Sequence, residues 1–293
     1  MYRYSYAKSS QGRSKGTCPA CGSKRRFSFF WDHELQQIAP PEYGRCDRTN
    51  ACGYENRPEG QVLTTKVNYI EPPTSYVSKE MLLPTLKQRY DNVLATYLIE
   101  NFPDAKQVID DYVLGTVEIW GGLFPIFWYV DDFGLIRSGK IMNYELVDGA
   151  PHRTKHSEYW DNVKWFHQDI NGFNYKQVSF GSHLLKKYPE KDVKIVESEK
   201  TALIMACLRP QYIWLATSSD TGLQPHLLPN LKDRDVEVLP DKGQRTFDYW
   251  SVKSKELLSE NLVKSIKVST FVEEREELGT GDDIADYVTM KLC

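Results

Sequence analysis

The sequence predicts an α/β chain in three parts: a small N-terminal β-ribbon, a mixed α+β middle region, and a C-terminal domain whose parallel sheet is flanked by helices. Three observations carry this. Cys18, Cys21, Cys46 and Cys52 crowd into the first fifth of the chain. Residues 114–146 read as short aromatic strands separated by Gly- and Asp-containing turns. From Asp192 onward, continuous apolar strands alternate with helices, the pattern of a parallel sheet covered on both faces. The boundaries read as 1–60 for the ribbon, 61–78 for a linker, 79–190 for the middle region and 191–293 for the parallel domain.

In the first segment, Cys18-Pro-Ala-Cys21 forms a turn that lets two sulfurs converge on one ion, and Cys46 and Cys52 supply a second pair. Gly22 and Gly53 follow the pairs and provide the free dihedrals such turns need. Between them, RRFSFFWD alternates apolar and polar side chains like a strand. A closed shell of four sulfurs leaves no position for water or substrate, so a zinc ion here is structural. His33 is a weaker alternative ligand. Phe27 and Phe29 read as the ribbon's small core. Arg25, Arg26 and Arg45 read as nucleic-acid contacts, since cations interleaved with rings track phosphates and stack unpaired bases. Cys207 reads as core and Cys293 as a tail thiol.

Residues 58–78 contain Pro58, Gly60, Pro72 and Pro73 and read as a linker. From Lys79 to Tyr112, Leu82, Leu83, Leu86, Tyr90, Leu94, Tyr97, Leu98 and Phe102 recur at helical spacing, predicting one helix that Pro103 and Asp104 break and restart. The aromatic strands that follow form an antiparallel meander, succeeded by a polar stretch (residues 151–162) and a turn at Phe180–His183. Arg137, Lys140, Arg153 and Lys155 lie on or just after the meander. They are either ordinary surface charge or cations facing a nucleotide or primer backbone, and Lys200 further on is a candidate of the same kind.

The last part reads as strand (VKIVE), helix (SEKTALIMACL), strand (YIWLAT), strand (VEVLP), helix from Gln244 to about Asn261, and strand (KSIKVSTFV). Ligands of such sheets sit beyond the carboxyl ends of the strands. Glu197, Glu199, Ser218, Ser219, Asp220 and Asp241 land there. Clustered carboxylates repel one another unless a hard cation such as Mg²⁺ or Mn²⁺ neutralises them, and such an ion suits phosphoryl transfer.

Bulk properties set the limits. The hydrophobic fraction of 41% suits a folded protein, not a disordered one. The longest apolar run, Leu123 to Val130, is too short to cross a bilayer. The N-terminal residues have no apolar core, so no secretory signal is expected, and a cytoplasmic location follows. Residues 1–60 carry 10 Lys/Arg against 6 Asp/Glu, while the whole chain has a net charge of −3. A basic patch of Arg13, Lys15, Lys24, Arg25 and Arg26 therefore permits nucleic-acid binding that bulk charge does not demand.

The segment IVESEKTA resembles the glutamate motif, and VLPDKG the aspartate motif, of the TOPRIM domain shared by DnaG-type primases, topoisomerases and related nucleases. With the ribbon (CPACG…YGRCDR…CGY), FPIFWYVDDFGLIRSGKIMNYEL and FGSHLL, nearly the whole chain resembles the zinc-ribbon TOPRIM primase-like proteins carried by mobile elements of Bacteroides-type bacteria. The resemblance implies that Glu197 is a metal-linked acid–base residue, that Asp241 is a magnesium ligand, and that the four cysteines hold zinc. One departure stands out: the second motif is usually Asp-x-Asp, and here Gly243 occupies the second position. Asp248 is poorly placed to replace it. Asp282, Asp283 and Asp286 either complete the metal site or, for Asp282 or Asp283, cap the last helix.

Two functions follow. The first is a primase that reads single-stranded DNA with its ribbon and joins ribonucleotides at a Mg²⁺ or Mn²⁺ site, with a replicative helicase or mobilisation protein as a further partner and no membrane. The second is an inactive relative that binds DNA or a replication partner. A TOPRIM nuclease fits less well, because a leading ribbon suits template recognition.

Overall fold

A computed structural model describes residues 3–7, 15–48, 52–58, 72–119, 121–154, 163–228 and 230–292. Arg13, Lys155, Cys293 and residues 61–71 of the expected linker lie outside the described residues. The chain divides into two compact units, one comprising Met1–Ser75 with Asp169–Asn174, the other Tyr76–Gln168 with Tyr175–Cys293.

The first unit is built of short antiparallel strands: β1 (Tyr4–Tyr6), β2 (Lys15–Gly16), β3 (Phe27–Asp32), β4 (Gln37–Ile38), β5 (Gly44–Cys46) and β6 (Glu55–Asn56). β3 is central, pairing with β1, β2, β4 and β5, while β6 adds to β5. Along β3, Phe27 is buried on one face and Phe30 and Asp32 on the other. Phe27 packs with Cys18 and Cys46, and Phe29 lies against that cluster, so both rings serve the core as expected.

The second unit begins with three helices, α1 (Lys79–Lys87), α2 (Val93–Asn101) and α3 (Ala105–Asp111). The expected single helix before Pro103 is thus two. Asn92 is the reason: its carboxamide oxygen accepts from the Ala95 N–H (2.9 Å) and its amide donates to Thr116 Oγ1 (2.7 Å), so the chain caps a new helix there. Periodicity alone cannot see such a restart, because the apolar spacing continues across it.

The meander follows as β7 (Leu114–Ile119), β8 (Gly122–Val130) and β9 (Ile136–Met142), with β12 (Val163–Trp165) on the far side of β9. Ile126, Phe127, Trp128 and Tyr129 of β8 are all fully buried, because this central strand is covered on both faces. β10 (Tyr144–Val147) and β11 (Ala150–Arg153) form a separate antiparallel hairpin.

After the short α4 (Leu184–Lys187) comes the parallel sheet: β13 (Val193–Val196), α5 (Glu199–Leu208), β14 (Ile213–Ala216), β15 (Asp235–Val238), α6 (Gln244–Ser259) and β16 (Ser265–Val268), closed by α7 (Ile284–Leu292). The strand order is β14-β13-β15-β16, with every pair parallel, as the alternating pattern requires. The strand order switches sides at β13, which pairs with β14 on one side and β15 on the other. α5 is buried on almost every side, lying on β13 and β14 and beneath α2, α3 and α7. Cys207 belongs to this core. No described helix is long and apolar enough to cross a membrane.

Candidate functional site

The sulfurs of Cys18, Cys21, Cys46 and Cys52 all lie within 4.8 Å of one another. Cys18–Cys52 and Cys21–Cys46 Sγ separations are 3.8 and 3.9 Å. A tetrahedron with zinc–sulfur bonds of about 2.3 Å has edges of about 3.8 Å, so the residues fit zinc. Gly22 and Gly53 adopt φ of +69° and +64°, and the Gly22 N–H donates to the Cys18 carbonyl at 2.9 Å, which closes the first turn. His33 is not part of the group; its Nε2 lies 2.8 Å from Ser5 Oγ. Arg25, Arg26 and Arg45 are exposed on this unit.

In the second unit, β13 delivers Glu197 one residue past its end, and the neighbouring strand β15 delivers Asp241. Both line a cleft of about 620 Å³ with Glu199, Lys200, Ser218, Asp282, Asp283 and Asp286. Lys140 of β9 and His152 and Arg153 of β11 form its other wall. The switch of strand order at β13 puts this cleft where open α/β sheets hold ligands.

Three acids of the cleft are already occupied. Glu199, 1% exposed, pairs with Lys140 Nζ at 2.9 and 3.0 Å and accepts from the Tyr129 and Ser218 hydroxyls. Burial pushes its carboxyl up, but Lys140 and the hydroxyl donors outweigh that and hold it below its usual range. Ser218 adopts φ +69° and its N–H donates to the Glu197 carbonyl (2.8 Å), joining the ends of β13 and β14. Asp283 caps α7: its Oδ1 accepts from the Ala285 and Asp286 N–H groups (2.7 and 3.0 Å), and Oδ2 accepts from Thr201. Asp286 reciprocates by accepting from the Asp283 N–H through Oδ2, and pairs Oδ1 with Lys200 at 3.1 Å.

Glu197 and Asp241 differ. Among the described residues no hydrogen bond reaches the Glu197 carboxylate, and Asp241 Oδ1 is buried with no partner. Burial, then Asp220, pushes the Glu197 carboxyl up to about 7, with Lys140 opposing. Burial together with Asp283, Glu197 and Asp286 pushes Asp241 up to about 9. Carboxyls raised by one another's charge, with an orphaned oxygen among them, are a hard-oxygen donor set that fits a divalent cation. The carboxylates do not converge as tightly as the four sulfurs, which form the one group of three or more metal-binding side chains so close among the described residues.

Other expected residues lie elsewhere. Arg137 does not line the cleft; its Nε is held by the buried Asp131 at 2.8 Å, where it braces the β8–β9 turn. Ser219 and Asp220 are also outside the lining, and Asp220 pairs with Arg245 at 2.9 Å. Asp248 accepts from Gln244 on its own helix. Gly243 has φ +149° and its N–H donates to Glu273 Oε1 at 2.7 Å, so a carboxylate from the β16–α7 connection sits at the start of α6.

A family model described as "Domain of unknown function (DUF6371)" matches residues 92–242, just over half of the chain. The chain belongs to the DUF6371 family. The DUF6371 span runs from the Asn92 cap to Lys242 and so contains Lys140, Glu197, Glu199 and Asp241 but not the acids of 282–286. A zinc beta-ribbon finger model matches residues 2–67, spanning the four cysteines. No curated protein matches. Among solved structures, this DUF6371 chain is similar to the primase fragment of the bacteriophage T7 primase-helicase protein, with 12% identity, coverage of 95% of this chain and 98% of that one, and a TM-score of 0.44. It is similar also to the Aquifex aeolicus primase (zinc-binding and RNA polymerase domains), with 12% identity, 72% and 56% coverage and a TM-score of 0.45. The E. coli primase catalytic core gives 10% identity, 72% and 76% coverage and a TM-score of 0.42.

Proposed function

We propose that the chain is a primase-type nucleotidyltransferase with a TOPRIM-like site, binding single-stranded DNA through its zinc ribbon and joining ribonucleotides in the cleft at Glu197 and Asp241. The observation that carries this reading is the pair itself: two carboxyls at the ends of adjacent parallel strands, one with a buried oxygen lacking a partner. Glu197 and Asp241 would hold Mg²⁺ or Mn²⁺, whose charge would offset the negative charge that develops on phosphate oxygens. Without the ion the Glu197 carboxyl stands near 7, raised by burial and then Asp220, and a bound cation would hold it ionised as a ligand. Arg153, His152 and Lys200 line the cleft where the phosphates of a nucleotide would lie. The motif resemblance further implies a cytoplasmic protein of a mobile element, acting beside a replicative helicase or mobilisation protein.

Incubated with single-stranded template, labelled ribonucleotides and Mg²⁺ or Mn²⁺, the protein is expected to yield short oligomers, and Glu197→Gln is expected to yield none while melting like the wild type. Absence of product from the wild type with both metals would count against the reading.

A second reading, an inactive DNA-binding relative, is favoured by Gly243. Where the motif expects a second aspartate, this backbone has φ +149° and its N–H is bonded to Glu273. That reading expects no turnover, and binding of single strands unchanged by Glu197→Gln.

A further inference from the structure

Most of the carboxylate oxygens at the strand ends and at the start of α7 are already bonded. Both oxygens of Glu199 are bonded, by Lys140, Tyr129 and Ser218. Both oxygens of Asp283 are bonded, by the first N–H groups of α7 and by Thr201. Asp286 gives one oxygen to the Asp283 N–H and the other to the Lys200 ammonium. Asp282 Oδ2 accepts from the Gly279 N–H at 2.6 Å. Glu197, the buried Oδ1 of Asp241 and the more exposed Oδ1 of Asp282 remain, and of these Glu197 and Asp241 end neighbouring parallel strands.

A two-metal phosphoryl-transfer site needs carboxylates for each ion, set about 4 Å apart. One Mg²⁺ is served by one or two carboxylates with substrate phosphate and water. The free acids here suffice for one ion. The Lys200 ammonium, mostly buried with a side-chain exposure of 14%, is bonded to Asp286 and feels the charge of Asp283. Gly243 adds no further carboxylate.

We propose that the cleft takes a single divalent cation, held by Glu197 and Asp241, and that the Lys200 ammonium replaces the second ion of a two-metal site. This rests on the metal-dependent reading of the cleft. It makes the missing second aspartate and the lysine two sides of one exchange, in which a fixed monovalent charge from α5 stands in for an acquired divalent one. The acidic corner is then partly neutralised before any ion or nucleotide arrives.

The test is a count of Mn²⁺ bound by the zinc-loaded full chain, by electron paramagnetic resonance; Mn²⁺ competes poorly for four thiolates, so the ribbon does not contribute. The wild type is expected to bind one Mn²⁺ per chain and Glu197→Gln none. Lys200→Met is expected to gain a second Mn²⁺, and Lys200→Arg to stay at one. Asp286→Asn is expected to keep one ion with affinity within about twofold, and it remains informative should Lys200→Met fail to fold. Two ions in the wild type, a folded Lys200→Met that stays at one, or loss of the ion in Asp286→Asn would overturn the inference while leaving a metal site in place. No Mn²⁺ in the wild type would overturn the metal reading itself and the inference with it.

Discussion

Glu199 and Asp241 lie in the same cleft with opposite electrostatic surroundings, and the difference follows from their neighbours. Glu199 has an ammonium and two hydroxyls; Asp241 has other carboxyls and a bare oxygen. Removing one partner of a buried ion pair strands the other charge. Lys140→Met should therefore cost about 3–5 kcal/mol in denaturant unfolding, and the double change with Glu199→Gln should recover most of it. A loss in the double variant equal to the sum of the losses in Lys140→Met and Glu199→Gln would show that the pair is not coupled. The raised carboxyls set a pH dependence. Asp241 at about 9 and Glu197 at about 7 hold protons in the folded chain that the unfolded chain has lost above about pH 4. The unfolded state then binds fewer protons, so their contribution to stability falls as pH rises towards those folded values. Without divalent metal, the wild type should lose more melting temperature between about pH 6 and about pH 9 than Asp241→Asn does, and Mg²⁺ at high pH should restore the wild type only. Parallel pH profiles for the two proteins would contradict this.

Among the elements, the start of α6 shows what position along the chain conceals. An aspartate at 243 would satisfy the motif, and a Cβ there meets nothing closer than Thr280 Cγ2 at 3.5 Å. The backbone, however, is at φ +149°, a region that side chains rarely adopt. Gly243→Asp should therefore lose about 1–3 kcal/mol of stability by denaturant midpoint and gain no Mg²⁺ affinity. A tighter-binding, undiminished variant would mean that the loop rearranges easily. The strands and helices of the parallel domain are legible in the sequence because apolar runs and 3.6-residue periods are local properties of the chain. The break before α2 is not, since it depends on Asn92 reaching Thr116, 24 residues away.

At the scale of the molecule, the ribbon and the catalytic candidate belong to separate compact units, and their failures should separate too. Chelating zinc, or Cys46→Ser, should abolish binding of single-stranded DNA while the melting of the second unit persists; retained binding after zinc removal would exclude the ribbon from the interface. Binding should weaken with salt, and Arg25→Ala with Arg26→Ala should lower the log–log salt slope by about 0.7 for each phosphate that is no longer neutralised.

How much of the site is visible in the sequence depends on what each residue needs. The cysteines, Glu197 and Asp241 stand out by spacing and by their place at strand ends, which a local pattern encodes. Capping of α7 by Asp283 is one of two alternatives that the sequence leaves open, but the reciprocal hydrogen bond from Asp286 is not visible there. Arg137 and Lys140 look alike in the sequence, yet one braces a turn and the other enters the cleft. Their separation is three residues, and the pleat and bulge of the meander send them to different neighbours. The sequence by itself determined the elements of the parallel domain, the cluster of four sulfurs and which acids end parallel strands, because periodicity and spacing are properties of neighbouring residues. Only the tertiary structure decided which acids are already bonded and which are bare, because most of those bonds join residues distant along the chain.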